Sequence, residues 1–197
     1  MSLEGKKITV GLTGGIACYK VPYLIRSLVK NGAEVQVVMT EAATAFITPL
    51  TLETVSERPV AVRMFPPDQF VATRHIDLGQ WADLMVVAPA TANFLGKVAA
   101  GVCDDLLTTV VCASTCPVMV APAMNPQMWA NPITQRNVAT LKELRYQFVG
   151  PEEGDMACHD SGVGRMSEPE RIYAAIESCL GEKSGLPPKK KASPVKK

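Results

Sequence analysis

Three side chains in this 197-residue sequence stand where they can do chemistry: His75, Asn125 and Cys158. Asn125 follows a hydrophobic run that stops in a proline-bounded turn. Val118 to Ala121 reads as a buried strand, and Pro122 and Pro126 stop either a strand or a helix from running across Met124 and Asn125. A fixed amide at the carboxyl end of a strand in an open α/β sheet has the position of a recognition group, although an asparagine in a turn also bonds its own backbone. His75, in Arg74-His75-Ile76-Asp77, sits at the start of a short helix that carries Trp81. There the helix dipole favours the neutral imidazole, the form a general base needs, but the position also suits a histidine with no chemical role. Cys158 lies in the glycine-rich stretch Gly154–Met166 beside His159 and Asp160. A thiol on a flexible loop next to a potential cation suits redox or proton-donor work better than Cys103, Cys112 and Cys179 in their apolar contexts. Zinc is the rival use of a Cys-His pair. Adjacent residues seldom ligate one ion and no matching pair occurs elsewhere, so no metal site is expected.

A second set of residues suits phosphate. Thr13-Gly14-Gly15-Ile16 can bring backbone N–H groups and a helix start close to an anion, and Thr91 and Asn93 stand at a second strand end that can serve the same ligand. The turn matches neither GxGxxG nor GxxxxGK[ST], which disfavours NAD and ATP.

These residues require a scaffold of alternating strands and helices. Lys7–Leu12 reads as a strand, residues 16–30 as a helix, and Glu34–Met39 as a second strand reached by a right-handed crossover. Short helices follow at residues 42–46, 50–55 and 76–82, then a buried strand at residues 83–88. Helices at residues 94–100 and 105–113, the strand at Val118, a helix over residues 132–144, a fifth strand at residues 146–149 and a last helix over residues 169–180 complete the chain. The fold expected is α/β: a single three-layer Rossmann-like or flavodoxin-like domain with a mainly parallel sheet, over residues 1–182. The stretch 154–166 has no apolar period and reads as a mobile lid loop.

Composition narrows the function further. A chain with 47% hydrophobic residues supports one well-packed domain. Net charge is +1, but five lysines lie in the last nine residues, and without them fifteen basic side chains face nineteen acidic ones. The folded part is therefore mildly acidic, which argues against nucleic acid as a ligand. Residues 183–197 read as a disordered Pro/Lys tail or a truncated linker. No apolar run reaches the ~18 residues of a membrane span, and six dispersed cysteines without a CxxC pair suit a reduced, cytoplasmic setting.

Five blocks together carry a resemblance: Thr-Gly-Gly-Ile-Ala-Cys-Tyr-Lys (13–20), His-Ile-Asp-Leu-Gly-Gln-Trp-Ala-Asp (75–83), Ala-Pro-Ala-Thr-Ala-Asn (88–93), Pro-Ala-Met-Asn-Pro-Gln-Met-Trp (122–129) and Ala-Cys-His-Asp-Ser-Gly-Val-Gly-Arg-Met (157–166). From about Lys6 to Leu180 the chain resembles the homo-oligomeric flavin-containing cysteine decarboxylases. Within that family it is most similar to the members that act on 4'-phosphopantothenoylcysteine in coenzyme A synthesis. Its other relatives there decarboxylate peptidyl cysteines or, more distantly, transfer prenyl groups to flavin. The resemblance implies FMN, held by Gly14, Gly15, Thr40, Phe46, Thr91, Ala92 and Asn93, near a subunit contact in a trimer or an assembly of trimers. It implies His75 as the base, Asn125 on the substrate carboxylate with Met128, Ala157 and Arg165 around the substrate, and Cys158 as proton donor. Gln80 replaces a basic residue of some relatives, which leaves the substrate phosphate to Arg165 or Arg74.

Overall fold

The computed structural model describes residues 3–66, 73–155 and 161–181. Strand β1 (Lys7–Leu12) leads through a 3-10 turn (Ile16–Lys20) into helix α1 (Val21–Lys30) and strand β2 (Glu34–Met39). The single helix read over residues 16–30 is thus two pieces. Pro22 has no N–H for the Cys18 carbonyl, which takes the Val21 N–H instead and closes a tighter turn. A second 3-10 turn (Glu41–Ala45), α2 (Pro49–Ser56) and α3 (Arg74–Trp81) lead to β3 (Leu84–Ala90). Next come α4 (Ala92–Ala99), α5 (Leu106–Ala113), β4 (Val118–Pro122), α6 (Pro126–Ala130), α7 (Pro132–Glu143) and β5 (Gln147–Phe148). The chain then forms β6 (Glu152–Asp155), β7 (Ser161–Arg165) and α8 (Pro169–Gly181).

The five-stranded sheet has the order β2-β1-β3-β4-β5 with every pair parallel. This is the flavodoxin-like order. The order in which the chain steps across the sheet reverses between β1 and β3, and the crevice above their carboxyl ends is where such sheets take ligands. The strands are nearly continuous apolar runs because both faces are covered. Ile8, Val10, Leu12, Val35, Val37, Val86 and Ala88 pack with Leu24, Ile25 and Leu28 of α1 and Ile172 and Ile176 of α8. Met85, Val87, Val118 and Val120 face the other way, into Phe94, Leu95, Leu107, Val111 and Leu141 of α4, α5 and α7. Burying each such side chain contributes about 1.5–3 kcal/mol, so the strand ends rest on a rigid base.

Helix α3 is seated by a close approach. A Cβ at Gly79 would lie 2.9 Å from the Ala113 Cβ, so only glycine lets α3 lie this near to α5. The glycine-rich stretch departs from its reading as a loop. Its flanks, β6 and β7, pair antiparallel, with Glu152 opposite Arg165 and Gly154 opposite Gly162. Backbone bonding makes this hairpin, so the absence of an apolar period concealed it. Residues 156–160, and with them Ala157 and Cys158, lie outside the described residues.

Candidate functional site

Four strand ends converge on one cavity of about 1520 Å³. Single small ligands occupy roughly 300–1000 Å³, so this cavity has room for a cofactor and a substrate side by side. Gly14, Gly15, Thr40, Thr91, Ala92, Asn93, Asn125, Met128 and Arg165 all line it. They come from the turns after β1, β2, β3 and β4 and from β7.

The turns after β1 and β3 are fastened to each other by Thr13. Its buried Oγ1 donates to the Pro89 carbonyl at 2.7 Å and accepts the Thr91 N–H at 3.1 Å. The β1 and β2 turns fit by contact, since a Cβ on Gly14 would lie 2.6 Å from the Ala42 Cβ and 3.1 Å from its carbonyl. Thr40 and Thr91 cap the segments that follow them, their hydroxyl oxygens accepting the Ala43 and Phe94 N–H groups. Each hydroxyl thereby keeps its proton to donate. No side chain caps the Ile16–Lys20 turn, so the N–H groups at its start are also left for a ligand. The Thr40 and Thr91 hydroxyls and the first N–H groups of the Ile16–Lys20 turn, at the ends of β2, β3 and β1, form a neutral donor set suited to a phosphate.

The Asn125 turn is built in two steps. Pro126 begins α6, a helix the sequence reading lacked, because proline at a first helical position has no N–H to waste. Asn125 caps it, Oδ1 accepting the Gln127 N–H at 2.8 Å, and the Met124 N–H donates to the Gly164 carbonyl of β7 at 2.9 Å. The asparagine is thus a turn asparagine bonding its own backbone, and that bond fixes the amide. The other end of a fixed amide is a donor, the polarity a carboxylate requires.

Charged pairs on the cavity wall escaped the sequence reading. Lys20 Nζ lies 2.7 Å from Glu168 across 148 residues of chain, and Arg165 lies 3.6 Å from both Glu152 and Glu168. Lys97 lies 2.8 Å from Asp104 and 3.3 Å from Asp105. The Asp104 hydrogen bond holds the Lys97 ammonium above its ordinary value, and Lys97 in turn holds the Asp104 carboxyl below its own. Apart from Arg165 and Glu168, three residues apart, the partners are seven or more residues from each other, so no local pattern marks them. Two expected residues lie apart from the lining: Phe46 ends the Glu41–Ala45 turn and is 47% exposed, and His75 is half-buried on α3. Among the described residues no group of histidine, cysteine and carboxylate side chains is arranged for a metal ion.

The Flavoprotein family model matches residues 1–181. The chain belongs to the Flavoprotein family. It is 51% identical over 182 residues to the coenzyme A biosynthesis bifunctional protein CoaBC of Vibrio vulnificus (strain YJ016), covering 92% of this chain and 45% of that protein. It is 43% identical over 185 residues to the protein of the same name from Bacillus subtilis (strain 168), covering 94% and 46%. The chain therefore spans about half the length of the curated relatives it matches. Among solved structures it is similar to a PPC decarboxylase variant, cysteine replaced by serine, complexed with pantothenoylaminoethenethiol. That likeness has 34% identity, a TM-score of 0.79, and coverage of 90% of this chain and 100% of the other. It is also similar to the FMN-dependent cysteine decarboxylase SpaF, at 35% identity and a TM-score of 0.77, covering 91% and 97%. The three-layer flavodoxin-like fold and the family read from the five sequence blocks agree with these likenesses.

Proposed function

We propose that this Flavoprotein-family chain catalyses the FMN-dependent decarboxylation of 4'-phosphopantothenoylcysteine to 4'-phosphopantetheine in coenzyme A synthesis. The observation that carries the reading is the single cavity in which the Gly14-Gly15, Thr40 and Thr91–Asn93 turns meet the Asn125–Met128 block. The curated relatives of coenzyme A biosynthesis and the PPC decarboxylase likeness support the substrate.

The donor set at the ends of β1, β2 and β3 fits the FMN phosphate, and Ile16, Leu106, Met124 and Met128 offer apolar wall to a flat ring. When bound, FMN would supply reversible two-electron chemistry at the substrate Cβ. Asn125 donates to the substrate carboxylate and keeps its C–C bond aligned with the developing thioaldehyde, which receives the electron pair as CO₂ leaves. A neutral amide orients the carboxylate without deepening its ground state as an arginine would. Cys158 then gives a proton to the carbon that lost CO₂, and no net redox change results. The neighbour captured as a cysteine-to-serine variant with an enethiol supports that role. Ala157 and Met128 flank the substrate. Arg165 takes its phosphate in preference to Arg74, which lines a separate groove with Glu53 and Pro59.

His75 is the base, acting on the substrate thiol of a neighbouring copy. Its place outside the lining of its own chain's cavity supports a homo-oligomer, a trimer or an assembly of trimers, as does the apolar stripe Ile16, Tyr19 and Tyr23 at the cavity mouth, 57–67% exposed. No helix among the described residues is long and apolar enough to cross a membrane. The proposed place of work is the cytoplasm, where the six dispersed cysteines stay reduced. The decarboxylase unit spans residues 1–182.

Mass spectrometry after incubation of the FMN-loaded protein with 4'-phosphopantothenoylcysteine tests the reading. Loss of CO₂ alone is expected from the native protein, and loss of CO₂ plus two hydrogens from Cys158→Ser. Unchanged substrate would overturn the function; complete turnover by Cys158→Ser would overturn the role of Cys158.

A further inference from the structure

The apolar sequence context of Cys103 and Cys112 suggests buried, inert thiols, yet both residues are exposed. They lie at opposite ends of α5, Cys103 before its first residue and Cys112 in its last turn. Cys103 precedes the helix, with its Sγ 3.7 Å from the Gly101 carbonyl and 3.8 Å from the carbonyl of Thr108, one turn before Cys112. Thr109 Oγ1 donates to the Cys103 carbonyl at 3.2 Å and holds that backbone against the helix. The Cys112 side chain leans back along α5 toward Thr108, so both thiols lie on one face beside the Thr108 carbonyl. Two thiols on one face, one on a helix and the other on the segment leading into it, can be bridged once their Cα atoms come within about 7 Å.

We propose that Cys103 and Cys112 are a thiol-modification site that closes to a reversible intramolecular disulfide by exchange with a low-molecular-weight disulfide. One thiol loses its proton and attacks a sulfur of the small disulfide. A mixed disulfide forms and one small thiolate leaves. The second protein thiol, deprotonated in turn, attacks the protein sulfur of that bond and expels the other small thiolate. Two protein thiols are oxidised, one disulfide is reduced to two thiols, and no other oxidant is needed. Partial burial of its sulfur and the adjoining Cys112 sulfur push the Cys103 thiol up, so exchange quickens as pH rises through the thiol range. The turn that would be stapled carries Asp104 and Asp105, the two carboxylates that hold Lys97 at the cavity wall. This site is separate from the one given to Cys158 and does not depend on the decarboxylase reading.

The test is exposure of the whole protein to oxidised glutathione, alkylation of remaining thiols, and cleavage before Asp104, which separates Cys103 from Cys112. The expected result is a pair of peptides joined by a bond that dithiothreitol releases, retained in Cys116→Ser. In Cys112→Ser the joined pair should vanish and Cys103 should keep a glutathione adduct. Joined peptides that persist in Cys112→Ser would overturn the proposal. So would native protein in which Cys103 and Cys112 are both alkylated, or in which the adduct on Cys103 never resolves.

Discussion

Replacing Thr13 with valine tests whether the cofactor site is held by a hydrogen bond or by the strands alone. Valine keeps the shape and removes only the hydroxyl. Lost with it are the 2.7 Å bond to the Pro89 carbonyl and the 3.1 Å bond from the Thr91 N–H, and both backbone groups then stand without the partner they now have. Each unsatisfied buried group costs about 1–3 kcal/mol; with Thr91 half-buried and open to water, the pair should cost about 2–4 kcal/mol. For a domain of about 5–15 kcal/mol this is a measurable fraction of total stability. Urea unfolding should show the loss as a lower midpoint with an unchanged slope. Because the two bonds set the spacing between the Gly14-Gly15 and Thr91–Asn93 turns, FMN titrated by fluorescence should also bind more weakly, by at least about tenfold for each 1.4 kcal/mol of misalignment. Thr13→Ser keeps both bonds and should behave like the native protein. Native stability and native FMN affinity in Thr13→Val would refute the argument that this bridge positions the site.

Other perturbations probe the remaining parts. Gly14→Ala places a Cβ 2.6 Å from the Ala42 Cβ, and the overpacking should cost about 1–3 kcal/mol in denaturant unfolding while displacing the turn that begins at Thr40. Leu28→Ala removes a fully buried side chain of α1 and should lower unfolding free energy by about 2–5 kcal/mol. Burial opposes the charge on Glu152, but the Ser167 hydroxyl and the Arg171 and Arg165 guanidiniums together outweigh it and hold the carboxyl below its ordinary value. That stabilisation is present above the ordinary carboxylate value near about 4.3 and fades as pH falls through the lowered one, so stability measured across acid pH should fall less steeply in Glu152→Gln. Asn125→Arg should bind substrate yet release CO₂ slowly in single-turnover assays; near-native turnover would refute the argument for a neutral amide. Phe46→Ala, outside the cavity lining, should leave FMN affinity unchanged by fluorescence titration.

The sheet was legible because its strands are long apolar runs bounded by glycine and proline. Lys7–Leu12 and Glu34–Met39 have the same limits in sequence and structure, and most other elements shift by one or two residues. Helix α6 was not legible, since Pro126 read as a stop when it serves as a start. The hairpin β6/β7 was hidden for a different reason: Ser161–Arg165 pairs through backbone groups that composition does not report. Turn residues of the site were readable where local spacing carried them, as at Gly14-Gly15 and Thr91–Asn93. Lys20 with Glu168 was beyond reach, because that contact exists only after the fold brings distant segments together.

The bond from the Met124 N–H to the Gly164 carbonyl separates two evolutionary tasks. It fastens the root of the hairpin to the turn that bears Asn125 through backbone atoms alone, so side chains further out along the hairpin can be exchanged without disturbing that junction. A substitution further along β7 can therefore change the cavity wall while the Asn125 turn stays in register, so the two can vary independently.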